Sequence, residues 1–458
     1  MKPTPKPVPC PPRSYADPAG FDKFRRHLDP AVIDAALTAT GRQSQRQRRL
    51  PMPQVVALVV AMALYRHLSI EDLVLTLRLA TKAGRKLTVA SSTIATARTR
   101  LGVTPLARLF RAVAPPQARA HAEAPAQRGR GRSLWGADGS SLHVPDSPEN
   151  RAHFGGHPGG TRGDSAYPLV RVVVLMALRS RLLADVRFGP FARGELRLAR
   201  TLWAAIPDHS LTIVDRNFLS AAVLLGLARA GTARHWLTRL KSNTRDRVLR
   251  TLGPGDWLVE LAVSPEARAK DPTLPATYQA RVLHYQRRGF RAQRLLTSLL
   301  DATSYPAAEL VAHYHARWEL ELGLDALKTE LLDRRETLRS TRPRLVRQEI
   351  WGLVLAYHVV RCEVCAAADH VGVAASRISF VTVLRRLRAA WLVEVFTGDA
   401  EWPPRLRAFY ETAEGLVLRK RRPDRRYPRA VKVKMSSYAK KRRPTTTEAI
   451  EFALRFAA

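Results

Sequence analysis

HYHARWELELGLDALKTELL, residues 313–332, reads as a single helix, and its polar residues decide the fold. At about 100° per residue, with Tyr314 at zero, Arg317 falls at about 300°, Glu321 at about 340° and Lys328 at about 320°. These residues share one narrow strip several turns long. Leu320, Leu324, Leu327 and Leu331 form a separate stripe at about 250° that anchors the helix. A polar strip along the edge of an anchored face suits the wall of a cleft. Taken alone, Arg317 and Glu321 also fit an ordinary i,i+4 pair on a solvated helix, worth a few tenths of a kcal/mol.

Two further acids change that balance. SLWGADGSSLHV begins at Ser133 and reads as a strand whose apolar run ends at Asp138-Gly139. SLTIVDRNFLS begins at Ser210 and ends its apolar run at Asp215. Carboxylates at the carboxyl ends of strands lie where open α/β sheets build their sites. The chain carries 76 Lys and Arg against 39 Asp and Glu, a net charge of +37. Three acids gathered in so basic a chain imply a shared cation, and two divalent ions with a phosphate form the usual arrangement for phosphodiester chemistry. The excess positive charge points to nucleic acid, with an anionic membrane surface as the alternative.

The rest of the chain divides by texture. Residues 1–20 are Pro-rich, read as disordered, and lack the apolar core of a secretory leader. Residues 21–115 read as helices: Asp29-Pro30 starts one, and Ser69-x-x-Asp72 caps another. VVALVVAMALY at Val55 is too short to span a bilayer. Residues 89–113 resemble two helices about a Gly turn, as in a helix-turn-helix or a plain helical hairpin. Residues 116–132 carry the Pro, Gly and Arg of a linker. From 133 to 340 strands and helices alternate as in an α/β domain with a mixed sheet, interrupted at about 243–303 by an all-β insertion. Helices are expected over 341–400 and a basic tail over 401–458. Of the three cysteines, Cys362 and Cys365 lie in an apolar helix, where packing and metal or redox use are both open; so few cysteines fit a reducing compartment.

The order and spacing of these blocks resemble a known family. Tyr314-x2-Arg317-x3-Glu321-x6-Lys328 matches the YREK signature of DDE transposases of the insertion-sequence-four family. ADGSSLHVPDSPEN (137–150) and IVDRNF (213–218) resemble that family's two Asp blocks. RRLPMPQVVALVVAMALYRHLS (48–69), RLVRQEIWGLVLAYHVVR (344–361) and RRYPRAVKVK (425–434) resemble its terminal regions, so the likeness spans about residues 20–440. One departure is Asn217, where a small Gly or Ala is common.

The resemblance implies a ribonuclease-H-like catalytic core. Asp138, Asp215 and Glu321 would be the catalytic, metal-binding triad, served by two Mg2+ ions for which Mn2+ may substitute. Tyr314, Arg317 and Lys328 would grip phosphates, and Trp318 would stack on an exposed base. Asp325 is the rival third acid, Trp257 a rival stacking residue, and His143, His313 and His315 are expected outside the metal shell. The implied function is cut-and-paste transposition of double-stranded DNA, element ends and target, by a homodimer in the cytoplasm, associated with the nucleoid and not with a membrane. A ribonuclease-H-like nuclease or resolvase and a catalytically inactive DNA-binding descendant are the alternatives.

Residues 419–443 hold 13 Lys and Arg and one Asp. If the tail clamps phosphates, each one neutralised steepens the log–log salt dependence of binding by about 0.9. A chain ending at Val417 should therefore bind end DNA with a visibly shallower salt slope than the full chain, and lose affinity almost equally for unrelated DNA. An unchanged slope would assign the charge to other parts of the molecule.

Overall fold

The computed structural model describes residues 27–44, 49–80, 89–124, 131–156, 167–286, 292–333, 337–397 and 409–418. The Pro-rich start and nearly all of the basic tail, for which disorder and a phosphate clamp are expected, lie outside these residues.

Five helices open the chain: α1 (Pro30–Thr38), α2 (Met52–Leu64), α3 (Ile70–Thr76), α4 (Ser91–Leu101) and α5 (Thr104–Glu123). The caps legible in the sequence are made. The Asp29 carboxylate accepts from the Ala31 N–H at 2.8 Å, and the Ser69 hydroxyl accepts from the Asp72 N–H at 3.0 Å. The α2 helix is apolar all round, and Val55 to Leu64 are buried without exception, as such a helix must be. It lies against α12 (Pro343–Val371). A Cβ on Gly352 of α12 would come within 2.4 Å of the Val59 carbonyl oxygen, so glycine sets how closely the two helices approach. The α12 helix is long and apolar enough to cross a membrane, yet 94% of its apolar window is buried inside the protein.

The linker expected from residue 116 starts inside α5, which runs through Pro115 and Pro116 to Glu123. Ala118 and Ala122 are buried in the cluster around Trp135. That burial offsets the amide bonds the prolines forfeit.

The catalytic-type core is a sheet in the order β3-β2-β1-β4-β5-β9-β8-β7-β6. Its first part comprises β1 (Ser133–His143), β2 (Leu169–Ala177), β3 (Leu183–Pro190), β4 (Ser210–Val214) and β5 (Arg234–Arg239). β1, β2 and β3 pair antiparallel, whereas β4 and β5 run parallel to β1. The helices α7 (Glu195–Arg200) and α8 (Ala221–Arg229) occupy the connections that parallel strands require. A short helix, α6 (Pro148–Phe154), follows β1 and is not evident from the sequence pattern. Side chains alternate between two cores. Leu134, Leu211 and Ile213 face the large helical cluster, while Trp135, Ala137 and Val214 face the cluster with α7 and α8.

The expected all-β insertion holds β6 (Arg247–Gly253), β7 (Asp256–Ala262), β8 (Thr277–Tyr285) and β9 (Gln293–Thr297), with one short helix, α9 (Pro265–Lys270). It extends the main sheet, because β9 pairs antiparallel with β5 at Leu237↔Thr297. The edge strand β6 escapes sequence reading because RVLRTLG is almost wholly exposed and shows no buried alternation. A buried ion pair ties the insertion to the turn at Tyr305. Arg281 of β8 donates from Nε and Nη2 to both Asp256 oxygens, at 2.7 and 2.5 Å, and from Nη1 to the Tyr305 carbonyl at 2.6 Å.

Residues 313–332 are not the continuous α-helix expected. α10 (Ala307–His315) ends before Arg317, α11 (Trp318–Asp325) begins after it, and residues 326–330 form a π-helical turn. After α12, α13 (Phe380–Thr397) completes the C-terminal helices. Cys362 and Cys365 are buried on α12; Cys362 donates to Gln117 at 2.7 Å, and burial pushes the Cys365 thiol up to about 11. Both thiols are packed in the core, and Cys365 is protonated at neutral pH.

Asp256→Ala should strand the buried Arg281 cation and lower stability by about 3–5 kcal/mol. Pairing it with Arg281→Met should recover much of the loss in thermal melting. A single variant that melts like the parent would show that the pair does not anchor the insertion.

Candidate active site

The parallel pairing of β1 with β4 ends at Ala137↔Val214. One step further stand Asp138 and Asp215, on the face that carries Leu134, Leu211 and Ile213. β1 does not stop at Asp138-Gly139 as its apolar run suggested. It continues to His143 on β2 alone, so Asp138 lies at the fork where β4 departs. After Asp215 the chain turns through a 3-10 segment, Arg216–Phe218, that leaves the sheet.

Two glycines seat α11 over this fork. A Cβ on Gly136 would lie 2.6 Å from Leu320 Cδ1, and one on Gly323 would lie 2.4 Å from Met176 Cε and 3.2 Å from the Tyr357 hydroxyl. Side chains larger than hydrogen at these positions would lift the helix. Arg181 of the β2–β3 turn holds the same helix through Glu319, at 2.6 Å.

Seated there, Glu321 shares a guanidinium with Asp138. Arg317 Nη2 donates to Glu321 Oε1 at 2.6 Å, and its Nη1 lies 3.7 Å from Asp138 Oδ2. Arg317 sits at the N-cap of α11, where the helix break turns it toward the strand ends. Burial pushes the Asp138 carboxyl up to about 6, against the Gly139 N–H, which donates to it at 2.8 Å, and against Arg317; Glu195 and Asp215 add to the rise.

Glu195 is an addition that the sequence motifs do not include. It opens α7 on the opposite face of the sheet, and its carboxylate lies over Gly139, where a Cβ would be 2.5 Å from it. Its nearest cation is Arg171, at 3.8 Å. Burial raises its carboxyl, and Asp215 contributes to the rise. In the sequence it is one acid of an ordinary amphipathic stretch; only the topology β3-then-helix beside Gly139 marks it.

Tyr314 is buried at the end of α10, and burial raises its phenol. Trp318 is 44% exposed, and Lys328 lies half-buried in the π-helical turn. Asp325, the rival acid, is exposed and accepts from Thr329 at 2.6 Å. Trp257 stacks on His284, with ring centres 6.4 Å apart. His313 pairs with Glu309 at 3.5 Å, His315 lies edge-on to Tyr285, and His143 lies beside Tyr167. Beside Asp215 opens a cleft of about 680 Å³ lined by Arg216, Asn217, Arg239, Lys241, His284 and Arg294. Asn217, standing where a small Gly or Ala is common, therefore faces a basic cleft from an exposed turn.

Comparison with known proteins identifies the chain. Residues 18–111 match the insertion element 4 transposase N-terminal family, and residues 131–359 match the transposase DDE domain. The transposase InsG for insertion sequence element IS4 of Escherichia coli is 35% identical over 415 residues, covering 90% of this chain and 92% of InsG. The chain belongs to the IS4 family of DDE transposases. The putative transposase InsZ of Escherichia coli is 34% identical over 243 residues, 52% of this chain and 79% of InsZ. A piggyBac transposase synaptic complex with hairpin DNA aligns at 12% identity with a TM-score of 0.41, covering 92% of this chain and 89% of that one.

The transposase is thus a DNA-cleaving and strand-transferring enzyme of a family that depends on a divalent metal. Its residues fit such an ion in kind: Asp138, Asp215 and Glu321 offer only oxygen donors, as a hard cation requires. They are not gathered into a ready cage. Among the described residues no three acidic, His or Cys side chains are already arranged around one point, and Arg317 stands among the three acids.

Asp138 is ordinarily 3.8 and is raised in the folded chain. Its contribution is fully favourable below about 3.8 and is lost as pH rises through about 6, because the folded chain then buries a charge. Asp138→Asn should therefore stabilise the metal-free transposase at pH 8 by about 2 kcal/mol, seen as a higher melting temperature, and do little at pH 4. A lower melting temperature at pH 8 would contradict this electrostatic account.

Proposed function

We propose that Asp138, Asp215 and Glu321 are the metal-binding carboxylates of this transposase, and that two Mg2+ ions serve the site, with Mn2+ able to substitute. One observation carries the reading: the strand register leaves the two aspartates adjacent on the face where Gly136 seats the helix of Glu321. When bound, the metal pair supplies an activated water or 3′-hydroxyl and neutralises the leaving oxygen.

The protein's own side chains do the remainder. Arg317 offers the planar fork that matches a phosphate, and Lys328 a point charge. Tyr314 backs Arg317, packed against the site. Trp318, exposed beside the strip, offers a face on which an unpaired base can stack. The cleft beside Asp215 carries Arg216, Arg239, Lys241 and Arg294, enough charge to track a single backbone. The N-terminal helical domain, residues 21–115, serves as the module that binds the terminal inverted repeats. Because two element ends must be cut and joined together, the working form is a homodimer holding both, and the net charge of +37 keeps it with the nucleoid.

Asp138→Asn, Asp215→Asn and Glu321→Gln should each lower end cleavage by roughly a thousandfold or more, while gel-shift affinity for the same duplex changes by no more than about twofold. Gly136→Ala should also lower cleavage, because it displaces Leu320 and with it Glu321. Two of the three acid variants cutting normally in magnesium would remove the triad from the account.

A further inference from the structure

Arg317 occupies the space that a cation among the three acids needs. Its guanidinium is 2.6 Å from Glu321 and 3.7 Å from Asp138, and Asp215 also lies within its electrostatic reach. Glu321 Oε1 cannot direct the same lone pair to Arg317 and to a metal. An incoming divalent ion also meets a positive charge that is held 19% exposed, poorly screened by water. A backbone phosphate changes this competition, because a guanidinium bonds a phosphate through two parallel N–H donors.

We propose that Arg317 is a placeholder cation that makes metal loading specific to the DNA-bound transposase. In the DNA-free chain it neutralises the acids and opposes the ion. When a phosphate draws the guanidinium away, Glu321 is released and the ion binds more tightly. By reciprocity the ion then strengthens the hold on that phosphate by the same factor. The benefit is chemical restraint: a chain loaded with metal only on DNA does not present an armed nuclease site to other nucleic acid. This inference rests on reading Asp138, Asp215 and Glu321 as the metal carboxylates.

The test is Mn2+ binding by the full chain without DNA, read from the paramagnetic resonance signal of free Mn2+. Arg317→Gln should tighten binding about tenfold relative to the parent, a coupling of ordinary size. Arg317→Lys, which keeps the charge, should stay close to the parent, and each variant is checked by circular dichroism for a native melt. Adding Glu321→Gln to Arg317→Gln should abolish the gain. A pre-cleaved end duplex should tighten Mn2+ binding by the parent and hardly affect Arg317→Gln. Equal or weaker Mn2+ binding by Arg317→Gln overturns the proposal. If Asp138→Asn leaves Mn2+ binding unchanged in both backgrounds, the ion sits elsewhere, and the carboxylate assignment fails together with the placeholder role.

Discussion

The contact on which this molecule turns is that of Leu320 with Gly136. At that point a helix crosses a strand that presents no Cβ, and adding one would push the helix away. Everything polar nearby depends on this approach. It holds Glu321 next to the strand that carries Asp138, and it orients the N-cap of α11 so that Arg317 spans both acids. The second glycine contact, Gly323 on Met176 and Tyr357, keys the same helix to β2 and α12. A dense interior transmits such constraints because it has no slack to absorb them. The long helix α12 packs against α2, α4 and α5 and also against α6 and the π-helical turn that follows α11, which makes the N-terminal helices part of the scaffold behind the site.

The electrostatics have two scales. Globally the chain is far from neutral, which suits capture of a polyanion and is unhelpful for compactness. Locally, Asp138, Asp215, Glu195 and Glu321 bring negative charge together at the fork where β4 departs from β1. Burial works against ionisation of Asp138 and Glu195, Arg317 pairs with Asp138 and Glu321, and Arg171 pairs with Glu195. Like charges so close together destabilise a folded chain unless function retains them. The basic cleft beginning at Arg216 is the complement, one residue from Asp215.

Much of this was legible in the sequence. The short apolar runs ending at Asp138 and Asp215 and the continuous β-branched run that begins at Leu169 revealed the strands, because residues buried on both faces leave no alternation. The mixed sheet, strands β7, β8 and β9 of the insertion and the caps at Asp29 and Ser69 were all readable from local chemistry. The misreadings have physical causes. Ala316 and Arg317 are good helix formers, so nothing local announces the break between α10 and α11 or the π-helical turn after Asp325. Pro115-Pro116 signals a linker, but burial of Ala118 and Ala122 keeps α5 helical. The edge strand β6 is exposed and carries no pattern. Glu195 comes to the fork from another face, by a long-range juxtaposition that spacing cannot encode.

The most direct measurement is the position of the metal itself. Crystals of the transposase bound to end DNA and soaked in Mn2+ would give an anomalous difference map that locates the ion without reference to the protein. The account predicts density ligated by Asp138, Asp215 and Glu321, with Arg317 turned away from Glu321 onto a phosphate. Density ligated instead by Asp325, or an ion bound with Arg317 still paired to Glu321, would contradict it.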